Sequence, residues 1–300
     1  MMLCNPKSCV LILSLLLFVS HYSNATILVL PESGDVVGEL QYTQSEMGET
    51  IDEIGRRFDI GYYEMVRANP QVDAMRPVSA SSSLIIPSQF ILPSVPRRGI
   101  IINLAEYRLY YFPADENVVI TFPVGIGKEG WNTPLGLTRI TAKVANPVWR
   151  PTAKVLAAAE EIGASIPGYF PPGPNNPLGK HVLRLGWPTF LIHGTNRVDG
   201  VGARVSAGCI RMFPDDIEYL FSIVAVGTPV RVINEPVKIG KWKNDIYLQI
   251  HPLLIEQKYV ELRTLMEQKA NDRNIKISNI DKTIQNELAY PSGLVKKINR

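Results

Sequence analysis

The 300-residue chain is predicted to fold as a mostly β domain preceded by a small βααβ unit, and three observations carry the prediction. It holds 23 prolines and 22 glycines, which punctuate the sequence too often for long helices. Between Gly99 and Ile233, short runs rich in Val, Ile, Phe and Tyr recur between turn signals. Between Leu40 and Pro87, two patches of helical spacing are enclosed by two short extended runs.

Residues 1–25 read as a secretory signal: Lys7 supplies positive charge, Val10 to Val19 is apolar, and Ser23-Asn24-Ala25 is a small-residue cleavage pattern. The apolar run is too short to cross a bilayer comfortably, so an uncleaved anchor is the alternative. No cysteine stands just after that run, and lipidation is not expected. The mature protein is therefore expected in an exported compartment, the periplasm. Its removal leaves about 275 residues, room for one large domain and a small module. A net charge of only +3 offers too weak a field for nucleic acid.

In the small unit, Leu40 to Thr43 and Leu84 to Pro87 are the strands. Thr50 is a plausible N-cap for a helix carrying Ile51, Ile54 and Phe58 on one face. A second helix carries Tyr62, Tyr63, Met65 and Val66, and Asn69-Pro70 ends it. With Tyr42, Gly48-Glu49-Thr50-Ile51, Ile54, Phe58, Asn69 and Leu84-Ile85-Ile86-Pro87, residues 40–87 resemble a LysM module, which implies binding of glycans containing N-acetylglucosamine. One departure is Ser81-Ser82-Ser83, where LysM modules commonly carry a glycine. Ser88 to Arg98, rich in proline, reads as a stiff connector.

The larger domain opens with a hairpin of Ile100 to Leu104 and Tyr107 to Phe112. Further strands are predicted at Val118 to Val124, Thr138 to Val144, Val182 to Leu185, Phe190 to His193 and Val230 to Ile233. One good helix starts near Pro214, with Asp215 and Asp216 suiting the positive end of its dipole. Trp149 to Gly179 shows little periodicity and reads as long loops of the kind that grip substrates. Residues 235–300 read as a C-terminal extension, with an amphipathic helix expected within Leu253 to Met266 and the polar final segment to Arg300 a mobile tail or a partner-docking extension.

Of three cysteines, Cys4 and Cys9 fall in the signal, which leaves Cys209 without an intramolecular disulfide partner in an oxidising compartment. A lone cysteine can be merely a small buried residue. Here, however, His193 stands at the end of an apolar strand and is followed at once by Gly194, sixteen residues before Cys209. The intervening glycine-rich loop can return the thiol to the imidazole. A thiol needs such a neighbour: free cysteine titrates at about 8.5, and an imidazolium stabilises the thiolate. Gly208 lets a substrate carbonyl approach, and N–H groups around Gly208 and Cys209 are candidate oxyanion donors, each worth roughly 3–4 kcal/mol in a protease. Arg211 suits a substrate carboxylate, with a structural salt bridge to Asp215 or Asp216 as the alternative.

His193-Gly194-Thr195-Asn196, Gly202 and Ser206-Ala207-Gly208-Cys209-Ile210-Arg211-Met212 resemble the signature of the L,D-transpeptidase catalytic domain, the YkuD domain. Thr133-Pro134-Leu135-Gly136 and Gly173 to Gly179 match other family segments, and similarity extends over residues 98–234. The preceding LysM-like unit is similar to the ErfK/YbiS/YcfS/YnhG group. The resemblance implies a YkuD-like β-sandwich and a ping-pong acyl transfer on peptidoglycan. Cys209 would attack the L-centre carbonyl of meso-diaminopimelate in a tetrapeptide stem and expel D-alanine. His193 would be the base, oriented by a backbone carbonyl beside Gly194, while Ser206, Gly208, Arg211 and Asn196 would line the oxyanion and substrate site. The acceptor would be another stem, giving 3→3 crosslinks, or a lysine amine of an outer-membrane lipoprotein. Many members have histidine where this chain has Ala207.

Two alternatives stand beside this one. An L,D-carboxypeptidase or other cysteine peptidase would use water, although papain-like and NlpC/P60-like enzymes place cysteine before histidine. A non-catalytic wall protein would only bind peptidoglycan. No cofactor is expected, and a zinc site at His181, His193 and Cys209 lacks compact ligand spacing.

Overall fold

The computed structural model describes residues 25–257, 259–277 and 281–298, so the expected signal, apart from Ala25, lies outside the described residues. The chain begins with β1 (Thr26–Val29) and β2 (Val36–Gly38), neither foreseen from the sequence. Then come β3 (Gln41–Gln44), α1 (Ile51–Arg57), α2 (Tyr62–Ala68) and β4 (Ser83–Ile86), with β3 and β4 antiparallel from Gln41↔Ile86 to Gln44↔Ser83. Thr50 stands at the N-cap of α1, and Glu53 Oε2 accepts from its N–H at 2.9 Å and from its hydroxyl at 2.7 Å. Buried Asn69 joins α2 to β4: its Nδ2 donates to the Met65 and Ile85 carbonyls, and its Oδ1 accepts from the Ile85 N–H.

The expected connector is not a free linker. Gln89–Ile91 forms β5 against β2, and Phe90, Ile91 and Leu92 are buried. The apolar sequence Phe-Ile-Leu explains this, because three such side chains gain more from burial than from solvent. Ile51, Ile54, Met65 and Leu84 of the small unit share one core with Ile101, Tyr110 and Val119 of the large domain.

The large domain contributes β6 (Gly99–Asn103), β7 (Arg108–Phe112), β8 (Val118–Pro123), β9 (Ile126–Gly127), β10 (Gly136–Ala145), α3 (Ala153–Glu161), β11 (His181–Leu185), β12 (Leu191–His193), β13 (Arg204–Ser206), β14 (Ile210–Arg211), α4 (Pro214–Ile223) and β15 (Pro229–Ile233). One nine-stranded sheet runs in the order β1-β8-β7-β6-β15-β10-β11-β12-β14. The strand β10 belongs to both halves: Gly136 to Arg139 pair with β15, Ile140 to Ala145 with β11, and the register shifts between Ile140 and Ala142. The irregularity lets the sheet curl, so that Ile100, Phe122 and Val232 of one half meet Leu183, Ile192 and Ile210 of the other. The helix α4 covers this core with Ile217 and Leu220.

Two expectations are corrected. The segment expected to be loop contains α3, capped by Thr152 but with no buried residue, so alanine propensity and the cap give it helix without core packing. Nor are the described residues after Glu235 a helix followed by a tail. They form β16 (Val237–Trp242), β17 (Asp245–Ile250), α5 (Leu262–Asp272), α6 (Lys282–Ala289) and β18 (Lys296–Ile298). The three strands make a sheet with its own core of Ile239, Leu248, Met266, Ile284 and Ile298. This unit is fixed to the rest by buried Lys238, which pairs with Glu106 and lies 3.5 Å from the Tyr110 hydroxyl, and by Gln249, whose Oε1 accepts from the Ile91 N–H at 3.0 Å.

Candidate active site

The site lies at the edge of the curled sheet, where β12 ends and β14 begins. Apolar Ile192 and Ile210 are paired in parallel register and anchor both strands in the core. His193 is therefore buried at the last residue of β12, beside Arg211, its register partner. Cys209 immediately precedes β14 and is half-buried.

His193 Nδ1 lies 2.5 Å from the Gly194 carbonyl oxygen. A carbonyl only accepts, so Nδ1 carries the proton and Nε2 is the basic nitrogen. Burial, then the Arg211 charge, pull the His193 pKa down to about 4, against the opposing effect of the Gly194 bond. The imidazole is therefore neutral at neutral pH. This corrects the expectation of a thiolate stabilised by imidazolium: the resting pair is thiol and neutral base.

Cys209 Sγ lies 3.5 Å from the Thr189 carbonyl oxygen, which accepts from the thiol. Burial pushes its pKa up, while a backbone N–H from Leu191 and the Arg211 charge pull it down. Protonated at rest, the thiol becomes a nucleophile when a base removes its proton.

The expected substrate-lining residues separate into two groups. Ser206 and Gly208 face inward: the Ser206 hydroxyl accepts from the Gly208 N–H at 3.1 Å and donates to the Cys209 carbonyl at 2.5 Å. Gly208's own N–H is thus engaged inside the loop rather than held open for an oxyanion. Gly208 is needed for its backbone, with φ +101°, and because a Cβ there would stand 2.8 Å from the Phe190 ring. Arg211, half-buried, and Asn196 lie apart from this loop network. Asn196 is exposed in the turn after Gly194. The Arg211 side chain lies across Gly200, where an added Cβ would come within 2.4 Å of its guanidinium. No carboxylate pairs with it among the described residues, and its Nε is buried without a partner. The alternative of a salt bridge to Asp215 or Asp216 is not realised, since Asp216 turns instead toward Asp59. The His181 ring packs at a tilt against Phe221 with centroids 4.7 Å apart, and the His181 carbonyl accepts from the Gly194 N–H, a structural duty.

Sequence reasoning missed Thr133. Its buried hydroxyl donates to the Gly208 carbonyl at 2.8 Å and accepts from the Gly127 N–H at 3.3 Å. Its family segment was the only signal available, and that carried no role. Gly127 itself has no room for a side chain, with the Trp131 carbonyl 2.0 Å from where a Cβ would stand.

Comparison with known proteins gives this geometry a family. Residues 97–232 match the YkuD family, the L,D-transpeptidase catalytic domain. "Probable L,D-transpeptidase YcfS" of Escherichia coli (strain K12) is 42% identical over 235 residues, covering 76% of this chain and 73% of that protein. "Probable L,D-transpeptidase ErfK/SrfK" of Salmonella typhimurium is 42% identical over 228 residues, with 75% and 73% covered. "Probable L,D-transpeptidase YbiS" of Escherichia coli (strain K12) is 41% identical over 227 residues, with 74% of each chain covered. The chain belongs to the L,D-transpeptidase family.

Proposed function

We propose that the protein is a peptidoglycan L,D-transpeptidase working through an acyl-enzyme on Cys209. His193 Nε2 takes the thiol proton as Sγ attacks the L-centre carbonyl of meso-diaminopimelate in a tetrapeptide stem. The bond to D-alanine breaks, and the same proton leaves on the D-alanine amine. An acceptor amine then attacks the thioester, giving its proton to His193, and the thiol is restored. The arrangement of His193 carries this reading: Nδ1–H is committed to the Gly194 carbonyl, and the strand that delivers it pairs with the strand that follows Cys209. Arg211, half-buried and without a carboxylate partner, supports a donor bearing a free carboxylate, since a guanidinium pairs bidentately with such a group.

The acceptor in this reading is a second stem or the lysine amine of an outer-membrane lipoprotein, encountered in the periplasm. The βααβ unit at residues 40–87 serves as a LysM-like glycan anchor for the same polymer.

The test is D-alanine release from a disaccharide tetrapeptide, with the protein mass followed in parallel. Wild type should release D-alanine and gain the acyl mass on Cys209, and Cys209→Ala should lose both by at least about a thousandfold. Release by Cys209→Ala at the wild-type rate would sink the mechanism. Product masses with and without an amine acceptor separate transfer from hydrolysis.

A further inference from the structure

The C-terminal unit reaches the nucleophile loop through one polar chain. Glu256, in the helical turn Ile255–Gln257, meets Arg204 in a two-pronged ion pair, with Oε1 2.6 Å from one guanidinium nitrogen and Oε2 3.1 Å from the other. The third guanidinium nitrogen, Nε, donates to the Gly127 carbonyl at 3.1 Å. Across the next link, the Gly127 N–H donates to Thr133 Oγ1, and that hydroxyl donates to the Gly208 carbonyl. In parallel, β9 and β13 pair at Gly127↔Ser206, and the Lys128 N–H donates to the Ser206 carbonyl at 3.0 Å.

The end of this chain decides where one donor points. The Gly208 carbonyl and the Cys209 N–H belong to a single planar peptide unit, in which the C=O and N–H point in opposite directions. Holding the carbonyl therefore aims the N–H. With the Gly208 N–H engaged by Ser206, the Cys209 N–H is the loop's own candidate for an oxyanion.

Beside this polar chain opens a pocket of about 190 Å³, lined among others by Gly127, Thr133, Leu254 and Glu256. Arg204 and Glu256 both line that pocket and are joined by their ion pair. A lysine at position 204 offers no fork and reaches at most part of this network.

We propose that Glu256 and Arg204 are positioning residues, through which the C-terminal unit aims the Cys209 N–H at the oxyanion of the acyl-transfer step. The proposal rests on the reading of Cys209 as the nucleophile. Arg204 also holds the Glu256 carboxyl below the usual glutamate range, which keeps the charged fork intact at neutral pH.

Two reactions of the same thiol separate aim from mere integrity. Acylation by a tetrapeptide needs an oxyanion donor, whereas alkylation by iodoacetamide displaces iodide at a saturated carbon and needs none. In Glu256→Ala, Glu256→Gln and Arg204→Lys, single-turnover D-alanine release should fall about tenfold with KM within about twofold, while alkylation of Cys209 stays within about twofold of wild type. The double variant Glu256→Ala with Arg204→Ala should lose no more than Arg204→Ala alone, because both act through one path. Unchanged acylation in the Glu256 variants overturns the proposal, as does a parallel loss of acylation and alkylation. If wild type itself neither releases D-alanine nor gains mass at Cys209, the reading of the nucleophile falls and the proposal with it. Thermal melting of each variant identifies any that fail to fold, and the near-isosteric Glu256→Gln then decides.

Discussion

His193 is a base by virtue of where its other nitrogen is held. The Gly194 carbonyl takes Nδ1–H, so no carboxylate is required to select the tautomer. Burial and the neighbouring Arg211 then keep the ring neutral, with a pKa of about 4. The free enzyme should accordingly show the acid limb of kcat/KM for D-alanine release at about pH 4, not at the ordinary histidine value of about 6.5. Arg211 also pulls the Cys209 thiol down. Arg211→Gln should therefore move both groups upward: the acid limb rises toward the ordinary value, and the pH midpoint for iodoacetamide alkylation rises as well. An acid limb near 6.5 in wild type, indifferent to Arg211→Gln, would contradict a buried neutral imidazole.

At the scale of elements, the segment between α2 and β4 contains a testable departure. Ser81 takes a left-handed backbone, φ +61°, at the position where the sequence departs from the glycine common in LysM modules. A side chain in that region costs about 1–2 kcal/mol, and glycine returns part of it as extra freedom in the unfolded chain. The Ser81 side chain is exposed, and its N–H bond to the Ser45 carbonyl at 2.9 Å survives the change. Ser81→Gly should therefore stabilise the protein by about 0.5–1 kcal/mol in urea unfolding; a loss of stability would show that the serine is favoured there. Such detail depends on φ, which sequence patterns do not carry. What they do carry is composition and local signals: the Val-, Ile-, Phe- and Tyr-rich runs at β7, β8, β11 and β15, the apolar face of α1 and the Pro214-Asp215-Asp216 start of α4 were legible because each is written in contiguous residues. The helix α3 was not, since none of its residues is buried. The C-terminal unit escaped because β18 completes a sheet with β16 and β17 only after two intervening helices. The same division holds at the site. Cys209 and His193 announce themselves through residue type and flanking glycines, whereas Thr133, Arg204 and Glu256 act through closures that only the folded chain makes.

Across the whole molecule, all three parts of the chain meet the loops around the nucleophile. The Tyr63 N–H of the small unit donates to the Gly202 carbonyl at 3.2 Å, next to the Gly200 that seats Arg211, while the C-terminal unit arrives through Glu256. Between the small unit and α4, Asp59 and Asp216 form a buried carboxyl pair. Asp59 Oδ1 and Asp216 Oδ2 have no other partner, which a proton shared between the two carboxyls resolves. Burial raises both pKa values, and mutual repulsion adds to the rise at Asp59. Arg108, itself locked to Glu64 at 2.7 Å, opposes the shift at both, as does Arg56 at Asp216. Asp216 is pushed up to about 7 from an unfolded value of 3.8. The folded protein thus holds protons that the unfolded chain releases, so the pair's stabilising contribution is complete below about 3.8 and is lost as pH rises through about 7. The melting temperature should fall between pH 5 and pH 8 in wild type. Asp216→Asn replaces the shared proton with a permanent N–H donor toward Asp59, and should flatten that fall and melt higher than wild type at pH 8. Equal slopes in the two proteins would mean that the pair does not share a proton. The expected flattening would identify the contact between the small unit and α4 as the protein's pH-dependent joint, one helix removed from the strand that follows Cys209.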